Sequence, residues 1–386
     1  MLGSFPPLRG LSSYCLELSS SLADITRIEF ISFKTMYPNF LYPGGDLKDD
    51  LTFPDVSHDG LRVRRNLTWY NPLSWIQEGL FPKGDVLHAQ WWSLPLAPIY
   101  FCICLIFKLR GKPIVFTVHN VHSHDPSTLF RQVSRLLFRL ADQFIVHTEQ
   151  NRIQLTTFYG IAPARISLIP HGSLDFHVRR FVDPESIRQS MGLGPQHKVV
   201  LLFGAIRRYK GVDTALKAFA QVVSRMPECR LMIAGKLWEK WEPYQRLIDD
   251  LGVTEQILSF LDYIPSGEVY RYFCAADLVI LPYHHFDSQS GVGSTAISFR
   301  KPMIVSDVGG LPELVRDRRF VVPPRDPEAL ANAIITCFQN PDLLSTMAKD
   351  ADTVAQKLSW PAIARKTCDV YQRVLVRECQ PTGEPS

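Results

Sequence analysis

Short apolar runs that do not alternate with polar residues recur along this chain, and stretches with helical patterning separate them. In the first half they read "DVLHA", "PIVFTVHN", "QFIVHT" and "ISLIPHG". In the second they are Val199–Gly204, "RLMIAG", "DLVILPY", "PMIVSD" and "RFVVP". A strand with one wet face alternates, so runs of this kind predict strands covered on both faces. Strands that take turns with helices build βαβ units around a parallel sheet. The runs form two series on either side of residues 174–195, a mixed, charged stretch with Gly and Pro that reads as a linker. For 386 residues this gives two doubly wound α/β domains of similar size. Helices are expected over Leu11–Leu22, with Ser12 or Ser13 as N-cap, and over 94–109, 127–140, 149–158, 213–226 and 241–251. Residues 37–82, rich in Pro, Gly, Asp and Asn, read as long loops with weak strands.

Bulk properties narrow the class. Hydrophobic residues are 46% and charged residues 21%, as in soluble globular chains. The net charge of +4 is too small to argue for a nucleic-acid partner. The eight cysteines contain no C-x-x-C pair, which fits buried thiols in a reducing compartment and hence a cytoplasmic protein. The longest apolar run, Leu94–Phe107, is too short to span a bilayer and reads as a core helix. Only Met1 and Leu2 precede the first loop, so the first strand is expected to be incomplete, through a truncated or late-assigned start.

In doubly wound sheets, ligands bind outside the carboxyl ends of the strands. Arg207, Arg208 and Lys210 lie just past the end of the run 199–204, with Gly204 and Gly211 letting the loop turn and a ligand come close. Ser290-Gly291-Val292-Gly293 opens a helix whose unpaired amides form an anion site. Two phosphate-seeking elements in one domain suggest a diphosphate. The same glycines give a rival reading: Gly291–Ala296 spells G-x-G-x-x-A, and Asp307 ends the next strand, as in dinucleotide (NAD or FAD) sites. A polar loop, however, separates those glycines from their strand. In the first domain His88 and His119 end strands, and His122 and His124 follow, a weak metal pattern. His147 reads as structural, His171 points toward the linker, and Asp350-Ala351-Asp352 reads as a solvated helix face.

These stretches, "FGAIRRYKGVD", "TVHN", "LIPHG", "DYIP", "QSGVG" and "DVGGLPELV", resemble in order and spacing those of the family 4 retaining glycosyltransferases of GT-B fold (glycosyl transferases group 1). The resemblance runs from "GSFPPLRGLSSY" to "WPAIARKTCDVYQRVL". It implies two Rossmann-like domains facing a cleft. An acceptor-binding domain would cover 1–175 and a nucleotide-sugar-binding domain 190–358. A helix over 359–378 would cross back to the first domain, ahead of a disordered tail over 379–386. By the same resemblance Arg207 and Lys210 hold the donor diphosphate, and the amides of Ser290, Gly291 and Val292 cap its distal phosphate. Gly10 would lie close to the donor phosphates or the acceptor and Gly204 close to the donor, His119 would contact the donor sugar, Glu313 would shape the donor site, and the backbone around Ile264 would meet the nucleobase.

Two departures stand out. Family members commonly carry two glutamates eight positions apart in this loop and helix; here Asp287 and Thr295 occupy those places, so one carboxylate is kept and the second is absent. The first loop, Pro6-Pro7-Leu8-Arg9-Gly10, replaces paired glycines. The resemblance implies transfer of a hexose from a nucleoside diphosphate sugar to a saccharide or lipid-linked saccharide, in polysaccharide or glycolipid biosynthesis. No metal or other cofactor is expected. Arg131, Arg135 and Arg139, at helical spacing beside Leu136, Leu137 and Leu140, suit a peripheral contact with an anionic membrane at the cytoplasmic face. Three other classes stay open at this point: a nucleotide-sugar 2-epimerase of the same two-domain fold, which would need a carboxylate acid/base pair that the sequence does not offer, an NAD- or FAD-binding oxidoreductase, and a nucleotide-sugar-binding protein without turnover.

Overall fold

The computed structural model describes residues 1–8, 11–36, 58–121, 128–173, 183–286 and 289–378. The tail 379–386, residues 37–57 of the expected loop region, and part of the expected linker lie outside the described residues. The chain divides into two units, Met1–Gly172 with Ser359–Ser386, and Ser173–Leu358.

The first unit runs α1 (Ser12–Ala23), β1 (Ile28–Thr35), β2 (Leu61–Thr68), α2 (Pro72–Leu80), β3 (Leu87–Trp91), α3 (Ala97–Leu109), β4 (Ile114–Val118), α4 (Thr128–Phe138), β5 (Gln143–Val146), α5 (Glu149–Tyr159) and β6 (Ile166–Leu168). All strand pairs are parallel. Leu2 bridges Ile31 of β1 and Ala89 of β3, so residues at the start of the chain take a strand position between them. The resulting order is β2, β1, residues 1–3, β3, β4, β5, β6. Each step from β2 through β6 that carries a helix moves the same way across the sheet. Right-handed crossovers therefore put α2, α3, α4 and α5 on one face. α1 joins strands in the opposite direction and lies on the other face.

Two expectations fail here. Leu11, not Ser12 or Ser13, stands at the N-cap of α1, and no side chain caps it; Ser12 is turned inward and buried instead. Residues 61–80 are not loop with weak strands but an eight-residue strand and a helix. α2 escapes a periodicity search because its inward side is mostly polar, with Trp75 the one large apolar side chain that packs on the core. Glu78 is buried and accepts from Arg64 (2.8 and 2.9 Å) and from Asn66 (2.8 Å), while Leu73, Ile76 and Leu80 face outward. Removing Arg64 would leave the Glu78 carboxylate buried without its cation, a loss that costs about 3–5 kcal/mol in buried pairs.

The second unit runs α6 (Pro184–Ser190), β7 (Lys198–Phe203), α7 (Val212–Arg225), β8 (Cys229–Ala234), α8 (Glu242–Leu251), β9 (Ile257–Phe260), α9 (Val269–Ala275), β10 (Leu278–Leu281), α10 (Gly291–Ser298), β11 (Met303–Ser306), β12 (Val321–Val322), α11 (Pro327–Gln339) and α12 (Pro341–Lys357). α6 occupies part of the stretch read as linker; Asp183 caps it by accepting from the amides of Glu185 and Ser186. A last helix, α13 (Trp360–Glu378), packs on α1 within the first unit. Asp350 and Asp352, on α12, pair with Arg316 and Arg300 at exposed positions.

The six strands are parallel in the order β12, β11, β10, β7, β8, β9. Successive residues of β7 enter opposite cores: Val200 and Leu202 pack under α7, α8 and α11, and Val199 and Leu201 pack with α9 and α10. That is why its sequence does not alternate. Strand order reverses between β7 and β10. The loops leaving those two strands diverge there, and the crevice of a doubly wound sheet opens at such a switch point.

Candidate active site

The loop after β7 carries Gly204, Arg207, Arg208 and Lys210; the loop after β10 leads through Tyr283 to Ser290 and α10. The two loops touch. The amide of His284 donates to the Tyr209 carbonyl (2.7 Å). Gly211, at φ +73°, packs so closely that a Cβ there would lie 1.9 Å from the Pro282 carbonyl oxygen. A Cβ at Gly204, at φ +101°, would lie 3.0 Å from Cγ2 of Val292 and 3.6 Å from Nζ of Lys210. Glycine at these two positions therefore lets the basic loop and the start of α10 share one small space.

Lys210 is buried. Its Nζ donates to the Tyr283 hydroxyl (2.5 Å) and lies 4.2 Å from the centre of that ring. The Tyr283 hydroxyl is 3.3 Å from Oγ of Ser290, which in turn caps α10 by accepting from the Gly293 amide (3.2 Å). The first intrahelical bond runs from the Ser294 amide to the Ser290 carbonyl, so the Gly291 and Val292 amides precede it. Among the described residues no carboxylate lies within ion-pair distance of Lys210. Burial lowers its pKa from the ordinary lysine value, with a smaller contribution of the same sign from Arg207. A buried cation with no counter-charge, beside a helix N-terminus, is electrostatically incomplete until an anion arrives.

Arg207 is half-buried, and its guanidinium lies 3.5 Å over the ring of Trp238. Backbone pairing holds the two together: the Trp238 amide donates to the Ile206 carbonyl (3.1 Å), and the Ile206 amide to that of Lys236 (2.8 Å). Nε of Arg207 is buried without a hydrogen-bond partner among the described residues. Arg208 is exposed, which separates it from the other two cations.

The remaining expected residues fall as follows. Ile264 is half-buried in the loop after β9 and, like Phe260 and Tyr272, packs against the core that holds Phe273 and Met232. Glu313 is exposed on the turn Leu311–Leu314, and Leu314 of that turn packs on Gly293 of α10. Thr295 donates to the Gly291 carbonyl (2.9 Å) from inside α10. Gly10 and Asp287 lie outside the described residues, as do His122 and His124. Among the described residues, no three His, Cys, Asp or Glu side chains stand together as a metal ion would require.

His119 follows β4 in the first unit and is buried. Its Nδ1 lies 3.2 Å from Nε2 of His147, and its Nε2 lies 2.9 Å from Oε1 of Gln90. Gln90 also reaches Nε2 of His88 (3.1 Å), and Nδ1 of His88 meets the Tyr371 hydroxyl (2.6 Å). The Ile169 carbonyl can only accept, so Nδ1 of His147 carries its proton toward it (2.9 Å) and Nε2 of His147 accepts from His119. Turning over the Gln90 carboxamide, an exchange of near-identical groups, completes an uncharged chain. Burial, then neighbouring charge, keeps these rings neutral. It lowers His88 and His147 to about 3, and His119 well below its ordinary value. His171, which packs against Tyr14, is lowered to about 4 by burial. The reading of His147 as structural thus applies to a wider network that orients His119. Tyr283, Trp238 and Gln90 carry no motif of their own in the sequence. Each has a partner far along the chain, 73 residues away for Tyr283 and Lys210 and 29 for Gln90 and His119.

Residues 183–354 match the family described as glycosyl transferases group 1, and residues 9–173 match Glycosyltransferase Family 4. The chain belongs to family 4 of the glycosyltransferases. This glycosyltransferase is 30% identical over 324 residues to a D-inositol 3-phosphate glycosyltransferase of Nocardioides, covering 77% of this chain and 69% of the relative. A D-inositol 3-phosphate glycosyltransferase 2 of Catenulispora acidiphila is 27% identical over 393 residues, with 94% and 90% covered. Among solved structures, Anabaena Alr3699/HepE in complex with UDP and glucose superposes with a TM-score of 0.73 at 18% identity, covering 96% of this chain and 98% of that one. A sucrose-phosphate synthase from Thermosynechococcus elongatus gives 0.72 at 20% identity, covering 96% and 94%. These likenesses make the fold GT-B, two Rossmann-like α/β units. No helix among the described residues is long and apolar enough to cross a membrane.

Proposed function

We propose that this enzyme transfers a hexose, with retention of anomeric configuration, from a nucleoside diphosphate sugar to an acceptor hydroxyl. The observation that carries the reading is the buried, counter-charge-free ammonium of Lys210 beside the α10 N-terminus, at the switch point of the second sheet. Arg207 and Lys210 hold the diphosphate, and the amides of Ser290, Gly291 and Val292 cap its distal phosphate. Gly204 keeps the floor of the site open, Glu313 shapes it, and the backbone near Ile264 meets the base. As the bond from the anomeric carbon to the diphosphate breaks, negative charge grows on the leaving oxygen, where pre-placed cations act best. The acceptor oxygen bonds to the anomeric carbon on the same face, and its proton passes to the leaving phosphate. These side chains supply the charge for which other sites use a metal, so the reaction proceeds without a resident metal or cofactor. His119 is held by its network for contact with the donor sugar.

The acceptor is a saccharide or lipid-linked saccharide, in polysaccharide or glycolipid assembly, with the enzyme in peripheral contact with the cytoplasmic face of the membrane. The absent second glutamate, with Thr295 bonded back into its own helix, leaves the ribose contact to other groups. The test is a thermal-shift screen of the purified chain against UDP, GDP, ADP, dTDP and their sugars, with NAD and FAD as controls. Product analysis follows with an acceptor panel that includes D-inositol 3-phosphate, the substrate in the names of the sequence relatives. Stabilisation by one nucleoside diphosphate series, lost in Arg207→Ala and Lys210→Ala, supports the proposal. Stabilisation by NAD or FAD alone overturns it.

A further inference from the structure

Every large apolar side chain that is exposed among the described residues lies in the first unit, and none in the second, although the two units are of similar size. Eight of those fifteen sit on the outer side of a single layer, α2, α3 and α4. α2 contributes Leu73 (68% exposed), Ile76 and Leu80, and Phe81 ends it. α3 contributes Leu105 and Leu109 (79%), and α4 Leu129 (60%) and Leu136. The layer is continuous, since α2 packs on α3 and α3 on α4. Arg110, at the end of α3, donates to the Gly79 and Pro82 carbonyls (2.9 and 3.0 Å) and so ties the apolar ends of α2 and α3 together.

The charge on this layer has one sign. Its three helices hold a single carboxylate, Glu78, which is buried against Arg64. Their outer side carries Lys108, Arg131 and Arg135, with Arg139 just beyond α4. Lys108 is paired with Asp142 (2.6 Å), whereas the three arginines have no carboxylate partner among the described residues. Arg135 donates to the Phe158 carbonyl (3.0 Å), so its charge, like that of the other two, is not neutralised. Exposed leucines mixed with arginines that lack a counter-charge fit a surface that is apolar beneath and anionic at its edge. A second copy of the chain fits poorly. A two-fold contact through this face would set the arginine row against itself.

We infer that the outer side of α2, α3 and α4 is the surface by which this enzyme docks on an anionic lipid bilayer. The inference rests on the reading of the enzyme as a peripheral membrane protein, and it assigns that contact to particular side chains. α2 is its most specific element: a helix that buries Glu78 and turns only Trp75 of its large apolar side chains inward keeps Leu73, Ile76 and Leu80 available for the acyl boundary.

The experiment is vesicle co-sedimentation of the full chain with phosphatidylcholine alone and with phosphatidylcholine containing 30% phosphatidylglycerol, at low and at 0.5 M salt. One variant is Arg131→Gln/Arg135→Gln/Arg139→Gln, another Leu73→Gln/Leu109→Gln, and Arg225→Gln on α7 is the control. None of these residues belongs to the proposed donor site, so nucleotide-induced thermal shifts should be unchanged and serve as the check on folding. Wild type should bind the anionic vesicles in a salt-sensitive way. The arginine variant should lose about a hundred-fold in partition, at about 1 kcal/mol per basic residue. The leucine variant should lose about ten-fold or more, and the control should match wild type. If wild type binds and both variants bind equally well, the assignment of the surface falls while the peripheral reading stands. If wild type does not bind anionic vesicles, the peripheral reading itself falls. Self-association that disappears in the leucine variant, without vesicle binding, would replace the bilayer by a second copy.

Discussion

Replacing Lys210 by Met should move stability and ligand affinity in opposite directions. The ammonium is buried and faces a tyrosine hydroxyl and ring, with no carboxylate in reach among the described residues. Met fills similar volume and carries no charge. Apolar replacement of poorly compensated buried charge stabilises by about 1–3 kcal/mol. For a unit of this size that raises the unfolding midpoint by about 2–4 °C per kcal/mol. The Tyr283 hydroxyl keeps Ser290 as a neighbour (3.3 Å), so the substitution does not strand it. The ligand side is larger. At an effective dielectric of about 20, two unit charges about 4 Å apart attract by about 4 kcal/mol. The lysine has already lost its water before ligand arrives, so little of that attraction is returned on binding. Loss of the charge should weaken nucleoside diphosphate binding by about 3–4 kcal/mol, on the order of 10²–10³-fold. The pH dependence separates the two states. Burial lowers the folded-state pKa below the ordinary value, so the unfolded chain holds the proton more tightly. Wild-type stability therefore rises as pH climbs toward 10.5, and Lys210→Met lacks that rise. Calorimetric titration with the diphosphate found in the screen, and denaturation across pH, read both arms. A variant that is less stable without ligand, or that binds the diphosphate as wild type does, refutes the reasoning: the lysine would then be a structural group.

Trp238→Leu should lower kcat/KM by about 5–30-fold, since stacking of a partly desolvated guanidinium on Trp is worth about 1–2 kcal/mol, and Trp238→Phe should restore most of it. Equal rates for Leu, Phe and wild type would show that the ring does not position Arg207. Gly211→Ala should destabilise by about 3 kcal/mol or more, because the residue is at φ +73° and its Cβ meets the Pro282 oxygen at 1.9 Å. Gly252→Ala, at φ +67° in open space, should cost only about 1 kcal/mol, and denaturant titration compares the two. The buried histidines predict acid sensitivity. With folded pKa values of about 3 for His88 and His147 and about 4 for His171, the neutral cluster is fully stabilising above about pH 6.5 and loses stability as pH falls from there toward 4. Each such site adds about 1.4 kcal/mol per pH unit to the slope, so His147→Gln should flatten urea titrations taken between pH 6.5 and 5.

What the sequence conveys well is set by periodicity and by special backbone. The second unit's strands show as unbroken apolar runs because residues such as Val199 and Val200 enter different cores. The site shows at Gly204, Gly211 and the Ser290–Gly293 string because a turn and a bare helix start demand those residue types. Side chains that act through space leave no such trace. Tyr283 reads as the last residue of an apolar strand, and Trp238 as one aromatic in a charged loop. Gln90 looks like an ordinary strand residue until its carboxamide is seen between two histidines.

α2 shows the limit most clearly, and why it has meaning. A periodicity search assumes that the apolar side of a helix faces the core. In Pro72–Leu80 three apolar residues, Leu73, Ile76 and Leu80, face outward and only Trp75 packs inward, so the pattern reads as loop. The inward side is satisfied by Arg64, Asn66 and Thr68 through directed hydrogen bonds, which hydropathy does not register. A helix folded that way keeps, in Trp75, only part of the hydrophobic burial that usually holds helices in place. Such an arrangement persists where the outward apolar side has a use of its own. The place where sequence patterning fails on this chain is thus the place where its surface departs from that of an ordinary soluble domain, and the bilayer inference starts from that coincidence.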